Sequence, residues 1–596
     1  MVAALYAQRI PKPRSGSPKR SAAPAGGLEH KPPDGFPLNA AITPTRSMRA
    51  PRDSIGSARG DDARWRREQS RAALSAWGRR FFTTLLLSAS ALACRAEPAP
   101  KVAVAVDTLW LDAAGQPNAS AQDALRLLAD AGSDGLAPQA YRAADLAKQA
   151  AALAALPGTA ASPQPAFDGN LDASMQRFLH DLHLGRVDPR ALGFRVARPG
   201  ARTPDFAALL RAAAVAGRLP QLVAELRPQL GQYAKLREAL ARYRALAVDG
   251  SLRPVAMVVP AKRGATECDG AALRRLLIAL GDLAANAAAP VDCNDPELVG
   301  GLKRFQSRHG MTSDGMVGKA TLLALNAPLP HRVLQLELAL ERLRWLPDLG
   351  ARPFVAINIP MFRLWAWDPA ARNDAPIDMG VVVGRALNTQ TPVMAEDMHH
   401  LVFRPYWNLP RSIVRNEVLP AIARDPGYLT KNDMEMVRGA GDDALPVASN
   451  DENLAALRQG GLRLRQRPGP KNSLGLVKFI FPNDANIYLH DTPATQLFGR
   501  ARRDFSHGCV RVEDPVGLAH WVLRNQPGWT RERIEAAMDG SSPLRVDLTR
   551  PLPVILFYMT AMAVAADQTI HFADDIYGHD AKLVRALSSR RVPAVF

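Results

Sequence analysis

The chain of 596 residues is 47% hydrophobic and 22% charged, ordinary values for folded domains, and its length points to about three or four of them. Its formal charge of +18 suggests nucleic acid only until the distribution is read: residues 1–80 hold 16 Lys/Arg against 6 Asp/Glu, and the remaining 516 residues carry a net of only +8. The basic excess belongs to one end of the chain rather than to a nucleic-acid surface.

Residues 1–78 are rich in Pro, Arg, Ser and Gly without apolar periodicity and read as a disordered basic leader. Arg79-Arg80 then precede the apolar run Phe81–Ala93, so residues 79–96 are expected to be a signal peptide, too short to span a bilayer stably. So long a leader suggests a true start downstream, for example at Met48. Ala91-Leu92-Ala93 fits a cleavage site; lipidation of Cys94 and a tether through the uncleaved segment are the alternatives. Either way the protein is expected to be exported.

Residues 103–250 repeat short amphipathic helices (Ala124–Asp130, Phe178–Leu182, Leu219–Arg227) and predict an all-α domain. Residues 266–326 read as a second, smaller unit with Leu302 and Phe305 in its core. There Asp314-Gly315 makes a tight turn, Gly318 allows a second reversal and Thr321 caps the next helix; Gln306 is either structural or exposed to ligand. Cys268 and Cys293 flank one helical segment of this unit, and in an oxidising compartment they read as a disulfide, two buried free thiols being the alternative.

From about 352 the pattern changes to alternating strands such as Val355–Ile359 and Met379–Val383, predicting a mainly β, sandwich-like domain over 352–545. Charged, helix-compatible sequence over about 411–470 interrupts it and reads as an inserted subdomain. Residues 546–596 form a C-terminal extension whose apolar stretch Leu552–Ala566 is too short for a membrane span and suits a buried strand. The overall expectation is a multidomain α+β chain.

The chemistry concentrates in Asp504-Phe505-Ser506-His507-Gly508-Cys509-Val510-Arg511, with His490 nineteen residues before the cysteine in Tyr488-Leu489-His490-Asp491. A thiol becomes a useful nucleophile when a neighbouring imidazole ionises it, and Gly508 allows a tight turn whose N–H groups can face a bound carbonyl. His490, His507 and Cys509 could also ligate zinc, but His-x-Cys with one distant histidine is not a spacing zinc sites favour, so no metal and no cofactor is expected.

The signature His-x16-His-Gly-Cys-Val-Arg resembles the active site of the L,D-transpeptidases. So do Phe354–Pro360, Met379–Arg385, Gln390-Thr391-Pro392, Phe403–Pro410, Pro553–Ala561 and Asp574–Asp580, which are similar to segments of the large multidomain periplasmic branch. Gly185–Pro189 resembles a loop of that branch's helical scaffold, 266–326 its small three-helix peptidoglycan-binding domain and 411–470 its capping subdomain. The resemblance implies a periplasmic acyltransferase with Cys509 as nucleophile and His490 as base. It further implies an oxyanion loop supported by Ser506, His507, Gly508 and Arg511, with Tyr488 and Trp407 as cleft walls. Its partners would be a stem tetrapeptide donor and a stem-peptide amine acceptor. Arg404 and Asn388-Thr389 depart from the family pattern and bear on the acceptor. Water as acceptor, giving a carboxypeptidase or hydrolase, and a non-catalytic wall-binding scaffold are the competing readings.

Overall fold

The computed structural model describes residues 108–155, 164–196, 203–255, 269–286, 295–347, 349–370, 376–387, 389–564 and 569–589. The leader and signal segment, Cys94, Cys268, Cys293 and Asn388 lie outside them. No described helix is long and apolar enough to cross a membrane.

The N-terminal domain is built from α1 (Ala119–Ala129), α2 (Ala143–Ala154), α3 (Gln164–Leu184), α4 (Phe206–Val215) and α5 (Leu219–Leu226). Polar residues start two of these helices by accepting otherwise orphaned N–H groups: Asn118 from Ala121 and Asp205 from Ala208. Their apolar stripes converge on Trp110, Tyr141, Phe178, Leu210 and Val223. The long α6 (Gly231–Val248) leads to a three-helix unit, α7 (Gly270–Leu280), α8 (Pro296–Arg308) and α9 (Lys319–Leu325), and α10 (Leu329–Leu343) then packs against α6.

In the three-helix unit Leu302 and Phe305 are buried. Gln306 is structural: its side-chain amide donates to Asp314, Met316 and Thr321 and accepts from the Gly315 N–H, stapling the Asp314-Gly315 turn. Two expectations fail here. Thr321 lies inside α9 with its hydroxyl turned to Gln306 and caps nothing, and Gly318, the residue that starts α9, has an ordinary extended backbone.

The loop Gly185–Pro189 joins the helical domain to α10. Gly185 sits at φ +81, and a Cβ there would lie 2.7 Å from the Trp345 indole nitrogen. The following N–H groups of Arg186 and Val187 donate to Glu341 Oε1 at 2.5 and 3.1 Å, while Arg186 and Arg344 pair with Oε2. A buried carboxylate thus gathers four donors, which is how such a charge is tolerated. Beyond the loop, Arg195 bonds to Val393 and Ala395 as a short parallel bridge, and Phe194 and Val196 enter the same core as Val355 and Leu489.

The β-rich domain contains β1 (Phe354–Asn358), β2 (Arg363–Trp367), β3 (Ile377–Gly384), β4 (Met394–Phe403), β5 (Trp407–Asn408), β6 (Met434–Arg438), β7 (Leu445–Val447), β8 (Arg463–Gln466), β9 (Val477–Ile480), β10 (Leu489–His490), β11 (Asp504–Ser506), β12 (Val510–Val512), β13 (Leu544–Phe557), β14 (Ala561–Ala563) and β15 (Ile570–Phe572). The main sheet runs β11-β3-β12-β10-β9-β4-β13-β1-β2, and β2 also pairs with β3, so the sheet closes on itself. Eight-residue β3 makes this closure, pairing Arg363–Ala366 along its first half and Arg511–Val512 further on. β13 lies centrally between β1 and β4. The boundary expected at 545 therefore cuts through a strand whose second half, Leu552–Phe557, is fully buried.

Between β5 and β9 the insertion forms its own small sheet, β5-β8-β6-β7, with short helices over residues 411–431 and 451–459 around Ile413, Val418, Met436 and Leu464. This subdomain is more strand-rich than its charged sequence suggested. It stands beside the loop that ends in β12.

Candidate active site

Three short strands set the site. Leu489 pairs in parallel with Val510, and His490 pairs with Arg511 on one side and Lys478 on the other. Because strand side chains alternate, buried Leu489, Val510 and Phe479 form the core, while Lys478, Tyr488, His490, Cys509 and Arg511 share the opposite face. One step back along each strand, Tyr488 and Cys509 fall side by side, and the Val510 N–H donates to the Tyr488 carbonyl at 3.1 Å.

The Cys509 thiol is partly exposed. Its Sγ receives the Tyr488 hydroxyl and backbone N–H, and its own proton points to the Asn486 carbonyl at 3.7 Å. Burial pushes the thiol above its ordinary range, opposed by the Tyr488 hydrogen bonds and by the Lys478 and Arg511 cations. The Tyr488 hydroxyl also accepts from Trp407, whose indole comes from the root of the insertion, and burial beside the thiol holds its proton on firmly. Tyr488 and Trp407, read from sequence as cleft walls, are thus hydrogen-bonded members of the site.

His490 is buried, with its ring centroid 5.8 Å from that of Tyr488. Nδ1 donates to the Asp491 carbonyl at 2.5 Å. A carbonyl can only accept, so Nδ1 carries a proton, and the Leu474 carbonyl also accepts from the ring. Burial first, then the nearby Arg511 and Lys478 charges, push its pKa down to about 3, so the ring is neutral throughout the physiological range.

The remaining signature residues brace or leave the thiol. Ser506 is buried, donating to the Cys509 carbonyl at 2.5 Å and accepting from the Gly508 N–H at 3.1 Å. The Gly508 N–H, expected to face a substrate carbonyl, is therefore engaged. Gly508 itself sits at φ +118, and a Cβ there would meet Ile487 at 3.2 Å. His507 reaches away from Cys509 to Glu417 of the insertion, at 2.6 Å. Arg511 buries its Nε without a hydrogen-bond partner among the described residues, close to Arg385. Of the departures, Arg404 bonds to Leu476 and Met538, whereas the Thr389 hydroxyl donates to the Ser506 carbonyl, within the nucleophile loop.

Sequence reading missed the support beneath this loop. The buried Thr391 hydroxyl donates to the Gly508 carbonyl at 2.7 Å and accepts from Gly384 at 2.9 Å. Tyr577 in turn donates to the Gly384 carbonyl and accepts from the Thr391 N–H. Both lie in motifs singled out above, Gln390-Thr391-Pro392 and Asp574–Asp580, but their meeting depends on the closed sheet. No group of three or more His, Cys, Asp or Glu suited to a metal occurs among the described residues.

Residues 352–535 match the family described as the L,D-transpeptidase catalytic domain. The chain carries an L,D-transpeptidase catalytic domain. Residues 105–240 match the scaffold domain and 270–325 the family described as "Putative peptidoglycan binding domain". A Haemophilus influenzae protein described as "Putative L,D-transpeptidase" is 32% identical over 243 residues, which are 41% of this chain and 47% of that protein; the chain thus spans about half of that relative. Two crystal structures of L,D-transpeptidase 3 from Mycobacterium tuberculosis, one with a faropenem-derived adduct, are 12% identical at a TM-score of 0.16. They cover 35% and 36% of this chain and 61% and 63% of theirs, a likeness too slight to carry an argument. The transpeptidase domain therefore rests on sequence, and its site geometry is that of this chain.

Proposed function

We propose that this protein is a cysteine-dependent L,D-transpeptidase that joins peptidoglycan stem peptides by 3→3 cross-links. The observation that carries this reading is the shared face on which a partly exposed thiol, a hydrogen-bonded tyrosine and a neutral buried histidine meet two cations.

Cys509 Sγ adds to the carbonyl of the third residue of a donor tetrapeptide, and the C–N bond to the terminal D-Ala breaks. The thiol proton is taken up on the His490 side of the face and passes to the departing amine. With a pKa near 3, His490 relays a proton without storing one. The backbone N–H of Cys509, which has no intramolecular partner among the described residues, is the donor for the oxyanion, a contribution of about 3–4 kcal/mol. The side-chain amine of a second stem then opens the thioester, forming the new amide and returning the proton to sulfur. The partly buried setting between sheet and insertion favours amine over water. The leader and apolar segment in the sequence support action in the periplasm, with membrane association through an uncleaved segment or a lipidated Cys94.

Incubation with disaccharide-tetrapeptide followed by chromatography tests the reading. Cross-linked dimers are expected. Tripeptide monomers would make it an L,D-carboxypeptidase, and unchanged substrate would leave a peptidoglycan-binding scaffold.

A further inference from the structure

Once His490 is neutral and its Nδ1 is tied to the Asp491 carbonyl, the site lacks the imidazolium that usually stabilises a reactive thiolate. The positive charge on this face lies elsewhere. Lys478 pairs across the strands with His490, and its ammonium stands 5.3 Å from the centroid of the Tyr488 ring, whose hydroxyl bonds to Sγ. It is partly buried, yet its Nζ makes no hydrogen bond or ion pair among the described residues. A flexible, unpaired ammonium beside a thiol is costly unless it meets negative charge during the reaction.

We propose that Lys478 is a positioning residue whose ammonium supplies the counter-charge for the Cys509 thiolate, acting across the Tyr488 ring while Tyr488 donates the hydrogen bond to sulfur. This deepens the transpeptidase reading and rests on Cys509 being the nucleophile. The ionisable groups on or facing this surface are Lys478 from β9, His400 from the adjoining β4, Tyr488 and His490 beside and within β10, Cys509 and Arg511 beside and within β12, Arg385 after β3, and Asp442 from the insertion. Arg511 adds positive charge but is itself repelled by Arg385. Asp442 partly offsets the Lys478 charge, so it provides a probe of opposite sign.

The test is the pH dependence of iodoacetamide alkylation in the full chain, followed by mass spectrometry on the peptide that carries Cys509 so that other cysteines do not interfere. Lys478→Met should raise the alkylation midpoint by about one pH unit, the low end of what a nearby opposite charge achieves. The rate at neutral pH falls less than tenfold, because a more basic thiolate is also more nucleophilic. Lys478→Arg should restore the midpoint, and Asp442→Asn should shift it slightly downward. A Lys478→Met protein with a native circular-dichroism spectrum and an unmoved midpoint overturns the proposal. An equal shift in the Arg and Met variants assigns Lys478 a packing role and overturns it equally. Should Cys509 in the unmodified protein resist alkylation at every pH, the nucleophile reading falls and this proposal with it.

Discussion

Replacing Thr391 by valine keeps the side-chain shape but deletes the hydroxyl that ties β3 to the nucleophile loop. Thr391 is fully buried, so the Gly508 carbonyl and the Gly384 N–H lose their partners in an environment water does not reach. Each orphaned buried group costs about 1–3 kcal/mol, and Tyr577 can compensate only in part because it already serves the Gly384 carbonyl and the Thr391 N–H. The sum is about 2–4 kcal/mol, felt first where the loop is held, at Gly508. Thr391→Ser keeps the hydroxyl and loses one methyl, about 1 kcal/mol. The assay is the rate of covalent modification of Cys509 by a carbapenem, alongside hydrogen exchange at residues 506–510. The Thr391→Val protein should acylate about tenfold or more slowly, with faster exchange in the loop, and the Thr391→Ser protein should stay near the parent. Equal rates and equal protection in both variants would refute the bracing argument.

Ser506→Ala removes the bonds to the Cys509 carbonyl and Gly508 N–H and should slow acylation by about tenfold, since about 1.4 kcal/mol is tenfold in rate. Glu341→Gln leaves Arg186 and Arg344 facing a neutral amide and should destabilise the chain by about 3 kcal/mol or more; thermal melting and limited proteolysis near residues 185–196 would register it. Protonation gives a third test. The pKa of His490 falls from about 6.5 unfolded to about 3 folded, so the unfolded chain binds the extra proton. Stability from this group is complete above pH 6.5 and is lost progressively as pH falls towards 3. Near pH 5 the loss is about 2 kcal/mol, and His490→Asn should flatten that part of the denaturation midpoint against pH.

The fold was legible where chemistry or periodicity is local. The helical stripes around Leu210 and Val223, the Phe305 core and the alternation at Val355–Ile357 each write their burial into adjacent residues. The signature likewise brought Tyr488, His490 and Cys509 together as one candidate site. What the sequence did not yield depends on contacts between distant segments. Closure of the sheet joins β2 to β3, and β13 becomes central only because β1 and β4 flank it. Tyr577 reaches Gly384 across 193 residues. Lys478 carries no local signal of a role, and only the register of two strands sets it beside His490. The engagement of the Gly508 N–H by Ser506 was hidden for a different reason, since a serine two residues away gives no sign of which way its hydroxyl turns.

The reactive sulfur can be weighed directly. Intact-mass spectrometry after exposure to a carbapenem should show the protein heavier by one drug molecule, with Cys509→Ala unchanged. A parent protein that gains no mass, or an alanine variant that gains it just the same, would contradict the assignment of the chemistry to Cys509.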